Sequence, residues 1–157
     1  MPKFTRPLAA LCALLALALS LAACGSDDTK SVNAYVAEVN AIQNEVAAQF
    51  RTAGTAISPT SSRADDVKAL TAFDTAVATA VKKLEAVEAP GKVESLHADL
   101  VKEVAGYRKA IAAARKALTS SSTAAATAAQ AEFARGTTQT SAAITTTIDE
   151  INRKLHE

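Results

Sequence analysis

The spacing of the apolar residues constrains this chain more than any other feature of its sequence. Valine, leucine, isoleucine and phenylalanine recur every three to four positions in four separate runs, which is the period of one face of an α-helix. The alternation of period two that a half-buried strand requires does not compete with it. Alanine, the residue with the highest helix propensity, fills much of the remaining sequence. The pattern predicts an all-α fold.

The first two runs have recognisable ends. The first covers about residues 31–53 and stops at Gly54, a residue type that commonly ends helices. The second begins at Ser62, and Asp65 three residues later completes a helix-start pattern. It ends before Pro90, because proline lacks a backbone donor and disfavours helical geometry in the preceding residue. These signals predict the first two helices.

The periodic pattern resumes directly after Pro90 and continues to Leu118, and a hydroxyl-rich break over residues 119–123 separates this third helix from a fourth. The predicted core-facing residues of the four helices are Val32, Val36, Val39, Ile42, Val46, Phe50, Val67, Leu70, Phe73, Val77, Val81, Leu84, Val87, Val93, Leu96, Leu100, Val104, Tyr107, Ile111, Leu118, Phe133, Ile144, Ile148, Ile151 and Leu155.

Four amphipathic helices joined by connections of roughly eight, two and four residues predict an antiparallel up-down-up-down four-helix bundle. The two-residue connection at Pro90 would make the second and third helices a tight hairpin. Because small side chains let helices approach closely, we expect buried alanine methyl groups, a slender bundle and no large internal cavity. A three-helix bundle with a loosely packed first helix would give a similar sequence pattern.

The first 23 residues have the organisation of a secretion signal. Lys3 and Arg6 precede an apolar run over residues 8–23 that only Ser20 interrupts. The run is shorter than the about 20 residues that a membrane-spanning helix needs. We therefore expect residues 1–23 to be cleaved, and a retained transmembrane anchor is the weaker interpretation.

The sequence Leu-Ala-Ala-Cys at residues 21–24 resembles the lipobox of bacterial lipoproteins. In that family the cysteine receives a diacylglyceryl thioether and becomes the first residue of the mature chain. The resemblance implies lipidation of Cys24. The polar residues that follow predict that residues 24–30 hold the lipidated cysteine and a short linker, and the helical periodicity assigns residues 31–157 to one helical domain. The resemblance also implies attachment to membrane lipid at the extracytoplasmic face of the cell membrane, or facing the periplasm. The alternative is an ordinary secretion signal that leaves Cys24 as a free thiol.

Cysteine content and charge exclude several classes of function. Cys12 lies in the predicted leader, so the mature chain would hold one sulfur and no disulfide, cysteine nucleophile or thiolate metal site. Removal of Lys3 and Arg6 from the seventeen basic residues leaves fifteen, against sixteen acidic ones. Because charges of both signs mix along every segment, no basic stripe for a nucleic acid is expected.

The strongest candidate for chemistry is Glu94 with His97, a carboxylate and an imidazole one helical turn apart. Ferritin-like bundles hold two metals with such a pair on each of two helices, but this chain has one pair. His156 has Arg153 three residues before it, and a cation cannot be a metal ligand. We expect His97 to lie at the edge of the core beside Leu96, with no metal, cofactor or catalytic residue in the domain.

These patterns predict a non-enzymatic binding or scaffolding module with an envelope protein as its partner. The alternative is a carrier of a small ligand or a metal. Gly106 and Gly136 each interrupt a helical run at a cost of about 1 kcal/mol relative to alanine. A groove near Gly136 and Thr140, or the His97 side chain, would then form the carrier's site.

Overall fold

The computed structural model of the chain describes residues 27–55, 62–119 and 123–157. Within these ranges all regular structure is helical, which confirms the predicted all-α fold with four helices and no strand. The elements are α1 (Asp27–Thr55), α2 (Arg63–Glu85), a 3₁₀ turn (Gly91–Val93), α3 (Glu94–Thr119) and α4 (Thr123–His156).

Helix α1 begins earlier than its apolar periodicity. The prediction assigned residues 24–30 to a linker, but α1 starts at Asp27, so that assignment is wrong for residues 27–30. No glycine or proline lies between Asp27 and Ser31, so nothing in the sequence stops the helix from extending backward from its apolar run. Residues 24–26 lie outside the described residues.

Helix α2 starts as predicted. The Ser62 backbone is extended, its hydroxyl accepts a hydrogen bond from the Asp65 amide, and the Asp65 carboxylate accepts one from the Ser62 amide. This reciprocal capping box satisfies backbone donors that an uncapped helix would leave free. The Ser62 hydrogen bonds also lower the pKa of the Asp65 carboxyl.

The connection between α2 and α3 is longer than the two residues predicted. It runs over residues 86–93, because α2 ends at Glu85 and the chain makes a 3₁₀ turn before α3. The Val93 amide donates to the Pro90 carbonyl at 2.8 Å, which closes this turn. Both Val87 and Val93 are buried, so the connection is part of the core. The apolar residues Val87 and Val93 on either side of Pro90 keep the helical spacing, which is why the sequence predicted a shorter connection.

The helices pack in sequence order, α1 on α2, α2 on α3 and α3 on α4, and the 3₁₀ turn contacts both α3 and α4. Every predicted core-facing residue is buried or half-buried. Alanine methyl groups are buried as expected, at Ala69, Ala76, Ala80, Ala114 and Ala117. The prediction missed six buried residues that carry polar groups, namely Tyr35, Gln43, His97, Thr137, Ser141 and Thr147.

Candidate functional site

The His97 imidazole joins three helices near one end of the domain. His97 is 7% exposed, so its predicted place at the edge of the core is wrong. Its Nε2 lies 2.9 Å from the Leu84 carbonyl oxygen near the end of α2, and its Nδ1 lies 3.2 Å from the Tyr35 hydroxyl on α1. The two rings also meet edge to face, with centroids 5.5 Å apart.

The hydrogen-bond partners define the tautomer of His97. A carbonyl oxygen can only accept, so Nε2 carries the proton and donates it to Leu84. In the neutral ring Nδ1 then accepts from the Tyr35 hydroxyl. Both ring nitrogens therefore have partners within the protein, and Glu94 is exposed to solvent. Across the described residues, histidine, cysteine, aspartate and glutamate form no group of three or more that could hold a metal.

Tyr35 makes stability sensitive to alkaline pH. Burial raises the pKa of its hydroxyl from 10.0 to about 12. The folded state keeps this proton between those pH values while the unfolded chain loses it, so stability is full below pH 10 and falls toward pH 12. The expected loss is about 2–3 kcal/mol, measured by urea unfolding at a series of pH values.

Tyr35→Phe serves as the control for this pH dependence. All other ionisable groups are common to both proteins, so the difference between the two curves reports Tyr35. Burial also raises the pKa of Tyr107, although its hydrogen bond with Ser141 lowers it. The variant should therefore lose part of the alkaline slope and keep the remainder. An unchanged slope would contradict the prediction.

The region of Gly136 and Thr140 is a contact between α3 and α4. A Cβ atom at Gly136 would lie 3.5 Å from the Ala110 Cβ, and one at Gly106 would lie 3.8 Å from the Thr140 side chain. These are ordinary van der Waals distances to the neighbouring helix. A Cβ atom at either glycine would therefore pack against the facing helix without a clash.

The same two helices share a row of buried polar contacts. The Tyr107 and Ser141 hydroxyls are 2.6 Å apart, and the Thr147 hydroxyl donates to Glu103 Oε1 at 3.0 Å. The other oxygen, Glu103 Oε2, is buried without a hydrogen-bond partner among the described residues. Thr147 thus supplies a hydrogen bond to one of the two oxygens of this carboxylate.

Thr147→Val should lower the free energy of unfolding by about 1–3 kcal/mol, because it leaves a buried carboxylate without its donor. Thr137→Val is the matched control. Thr137 is a buried threonine of the same helix, but its hydroxyl donates to the Phe133 carbonyl one turn earlier. We expect its replacement to change stability by less than about 1 kcal/mol, since the backbone hydrogen bonds of the helix remain. Urea unfolding of both variants measures the difference, and equal losses would contradict the assigned role.

An apolar void of about 40 Å³ lies between the helices, lined by residues of all four. Its lining consists of Val39, Ile42, Gln43, Val46, Phe50, Val77, Ala80, Leu84, Leu100, Val104, Tyr107, Ile144 and Ile148. The void has little more room than one or two water molecules need, and among the described residues no charged side chain lines it. Apart from Gln43 and Tyr107 its lining residues are apolar, so it offers mainly weak attraction for small apolar groups.

Ion pairs join the helices on the outside. Arg108 of α3 donates to the Asp74 carboxylate of α2 from Nε to Oδ1 at 2.9 Å and from Nη2 to Oδ2 at 3.3 Å. This contact lowers the pKa of the Asp74 carboxyl. Lys83 of α2 pairs with Glu45 of α1. These exposed pairs contribute little to stability but favour one alignment of neighbouring helices.

Cys24, the predicted lipidation site, lies outside the described residues, as does the rest of the leader. In the part of the chain that the structure describes, none of the helices is long and apolar enough to cross a membrane. Comparisons with protein-family models, curated proteins and solved structures give no match to this chain.

Proposed function

We propose that this protein is a lipoprotein that Cys24 anchors at the extracytoplasmic face of the membrane, with a helical domain that binds or scaffolds an envelope protein. The observation that carries the proposal is the order of features in residues 1–24: a basic start, an apolar run and Leu-Ala-Ala-Cys. Two acyl chains on one group hold a protein firmly at a membrane, because each buried methylene contributes about 0.8 kcal/mol.

The proposal includes an antiparallel arrangement of the bundle. Along α3, the contacts with α4 run Glu103–Thr147, Tyr107–Ser141 and Ala110–Gly136, so one number rises as the other falls. This order supports opposite directions for the two helices.

In the other two helix pairs, the residue numbers of the contacts also rise along one helix as they fall along the other. His97 and Arg108 of α3 contact Leu84 and Asp74 of α2, in that order. Between α1 and α2 the contacts run Glu45–Lys83 and Phe50–Phe73. All three pairs support an up-down-up-down bundle.

The surface of the domain suits a polar partner. Every valine, leucine, isoleucine, phenylalanine and tyrosine whose burial the structure describes is buried or half-buried. Among the described residues, the exposed positions carry charged, hydroxyl, amide, imidazole or alanine side chains, or are glycine. A protein partner would therefore meet charged and small residues along the helix faces, without a large exposed apolar patch to anchor it.

Cys24→Ser tests the anchor. Without the thiol no thioether forms, so the protein should move from the membrane fraction to the soluble or secreted fraction, and mass spectrometry of the product should find no diacylglyceryl group. Cys12→Ser is the matched control, because it removes the other cysteine of the chain within the predicted leader. That variant should stay lipidated and membrane-bound. Membrane attachment of Cys24→Ser after removal of residues 1–23 would contradict the proposal.

In-cell crosslinking followed by affinity purification tests the scaffolding role. We expect partners that an unrelated lipid-anchored domain does not recover, and their absence would count against this role. The alternative, a small-ligand or metal carrier, predicts heat on titration with divalent metals or a thermal shift with metabolites. No heat of binding with the metals and no thermal shift with the metabolites would exclude that alternative.

A further inference from the structure

We infer that one end of the domain rests on the lipid headgroups without entering the membrane core. This end, the anchor-proximal end, consists of the start of α1, the connection over residues 86–93 and the last turn of α4. The inference rests on the lipidation of Cys24 proposed above, and it adds which surface faces the lipid and which faces outward.

Only a short length of chain separates the lipid from the first helix, which limits how far α1 can lie from the membrane. Cys24 precedes Asp27, the first residue of α1, by three positions. Even a fully extended chain spans at most about 3.6 Å per residue, so α1 begins within about 11 Å of the Cys24 Cα atom. The start of α1 therefore stays at the level of the headgroups.

Contacts place the other two segments at the same end. Tyr35, about 12 Å along α1 from its start, bonds to His97 of α3, and His97 bonds to Leu84 at the end of α2. The connection over residues 86–93 follows Leu84 directly. The Lys92 ammonium group of that connection donates to the Leu155 carbonyl at 3.1 Å, near the end of α4.

The opposite end is far from the lipid. Helix α1 has 29 residues, and at about 1.5 Å per residue it extends about 43 Å. Near its far end Phe50 packs against Phe73, in the first half of α2. The start of α2 near Arg63 and the end of α3 near Thr119 share this level, so they face away from the membrane.

The side chains of the anchor-proximal end fit a headgroup surface and not the hydrocarbon core. Its exposed residues include Glu88, Lys92 and Arg153, so both signs of charge are present. In the described part of this end no large apolar side chain is exposed. Contact with zwitterionic headgroups then requires no insertion, and the anchor, not a basic patch, sets the orientation.

Fluorescence quenching of single labels tests the orientation. Ser95→Cys and Ala64→Cys each put a reactive thiol at an exposed site, the first near the anchor-proximal end and the second near the far end. The thioether blocks Cys24, so a maleimide fluorophore reacts only at the new site. The full lipidated protein is reconstituted in phosphatidylcholine vesicles that contain a lipid with a spin label on its headgroup or in the middle of its acyl chain.

We expect the headgroup spin label to quench the fluorophore at residue 95 several-fold more than the one at residue 64, with or without anionic lipid. The mid-chain spin label should quench neither. Equal quenching at both sites, stronger quenching at residue 64, or mid-chain quenching at residue 95 would overturn the inference. Thermal unfolding of both labelled proteins verifies that each is folded.

Flotation of the same samples separates the two proposals. If the protein does not float with the vesicles, the lipid anchor is absent and the proposed function fails together with the inference. If it floats but the quenching is equal at both sites, the anchor stands and the orientation alone is wrong.

Discussion

Replacing Phe73 of α2 by alanine is expected to lower the free energy of unfolding by about 3–5 kcal/mol, and Phe50→Ala in α1 should cost a similar amount. The two rings pack edge to face with centroids 4.8 Å apart and planes at 83°. Both are at most 2% exposed, so each truncation removes buried hydrocarbon and leaves a cavity whose walls relax only partly. Urea unfolding followed by far-ultraviolet circular dichroism measures both losses.

The comparison of the two variants also tests how firmly α1 is held. In a three-helix bundle with a loosely packed first helix, Phe50→Ala would cost far less than Phe73→Ala, because Phe50 would already be partly solvated. Similar losses support four helices that unfold together. Thr75→Ala, on the exposed side of α2, is the control and should change stability by less than about 0.5 kcal/mol.

The helices were predictable because burial in this fold follows one period. Leu100, Ile111 and Leu118 of α3 lie on one stripe, and all three are buried. Each helix presents a single face to the others, so the spacing of apolar residues predicts which residues form the core. The length of the connection at Pro90 was not predictable, because Val87 and Val93 are core residues of an irregular segment.

The buried polar residues occupy gaps in those stripes. Thr137 and Ser141 stand between Phe133 and Ile144 at helical spacing, and His97 stands between Val93 and Leu100. The spacing thus indicates their burial, whereas residue type alone predicts exposure, because hydroxyl and imidazole groups are more common at surfaces. Their partners come from other helices, and no pattern within one segment reveals them.

A double-mutant cycle at His97 and Tyr35 should also show large changes in the free energy of unfolding. His97→Leu fills a site of similar size with hydrocarbon, but it leaves the hydroxyl of Tyr35, which is 1% exposed, without an acceptor. The Leu84 carbonyl keeps the amide of Val87 at 3.0 Å, so it is not left unpaired. We expect a loss of about 2–4 kcal/mol, mainly from the stranded hydroxyl and imperfect packing of leucine.

Adding Tyr35→Phe should recover much of that loss. Alone, Tyr35→Phe removes the donor to Nδ1 and should cost about 1–3 kcal/mol, since it leaves a buried acceptor unpaired. In the His97→Leu background the same change removes the stranded hydroxyl and should stabilise the protein. Replacing both partners by apolar groups can be nearly neutral, so the second substitution changes sign with its background.

Additive losses in this cycle would mean that the Tyr35 hydroxyl and the His97 ring do not depend on each other. The non-additive result would show that a single hydrogen bond couples α1 to the junction of α2 and α3. Because α1 follows the proposed anchor directly, this bond would also help to hold α2 and α3 in a fixed orientation relative to the anchor. The labelled variants at residues 64 and 95, prepared with Tyr35→Phe, would then show whether the domain keeps its orientation when the coupling is weakened.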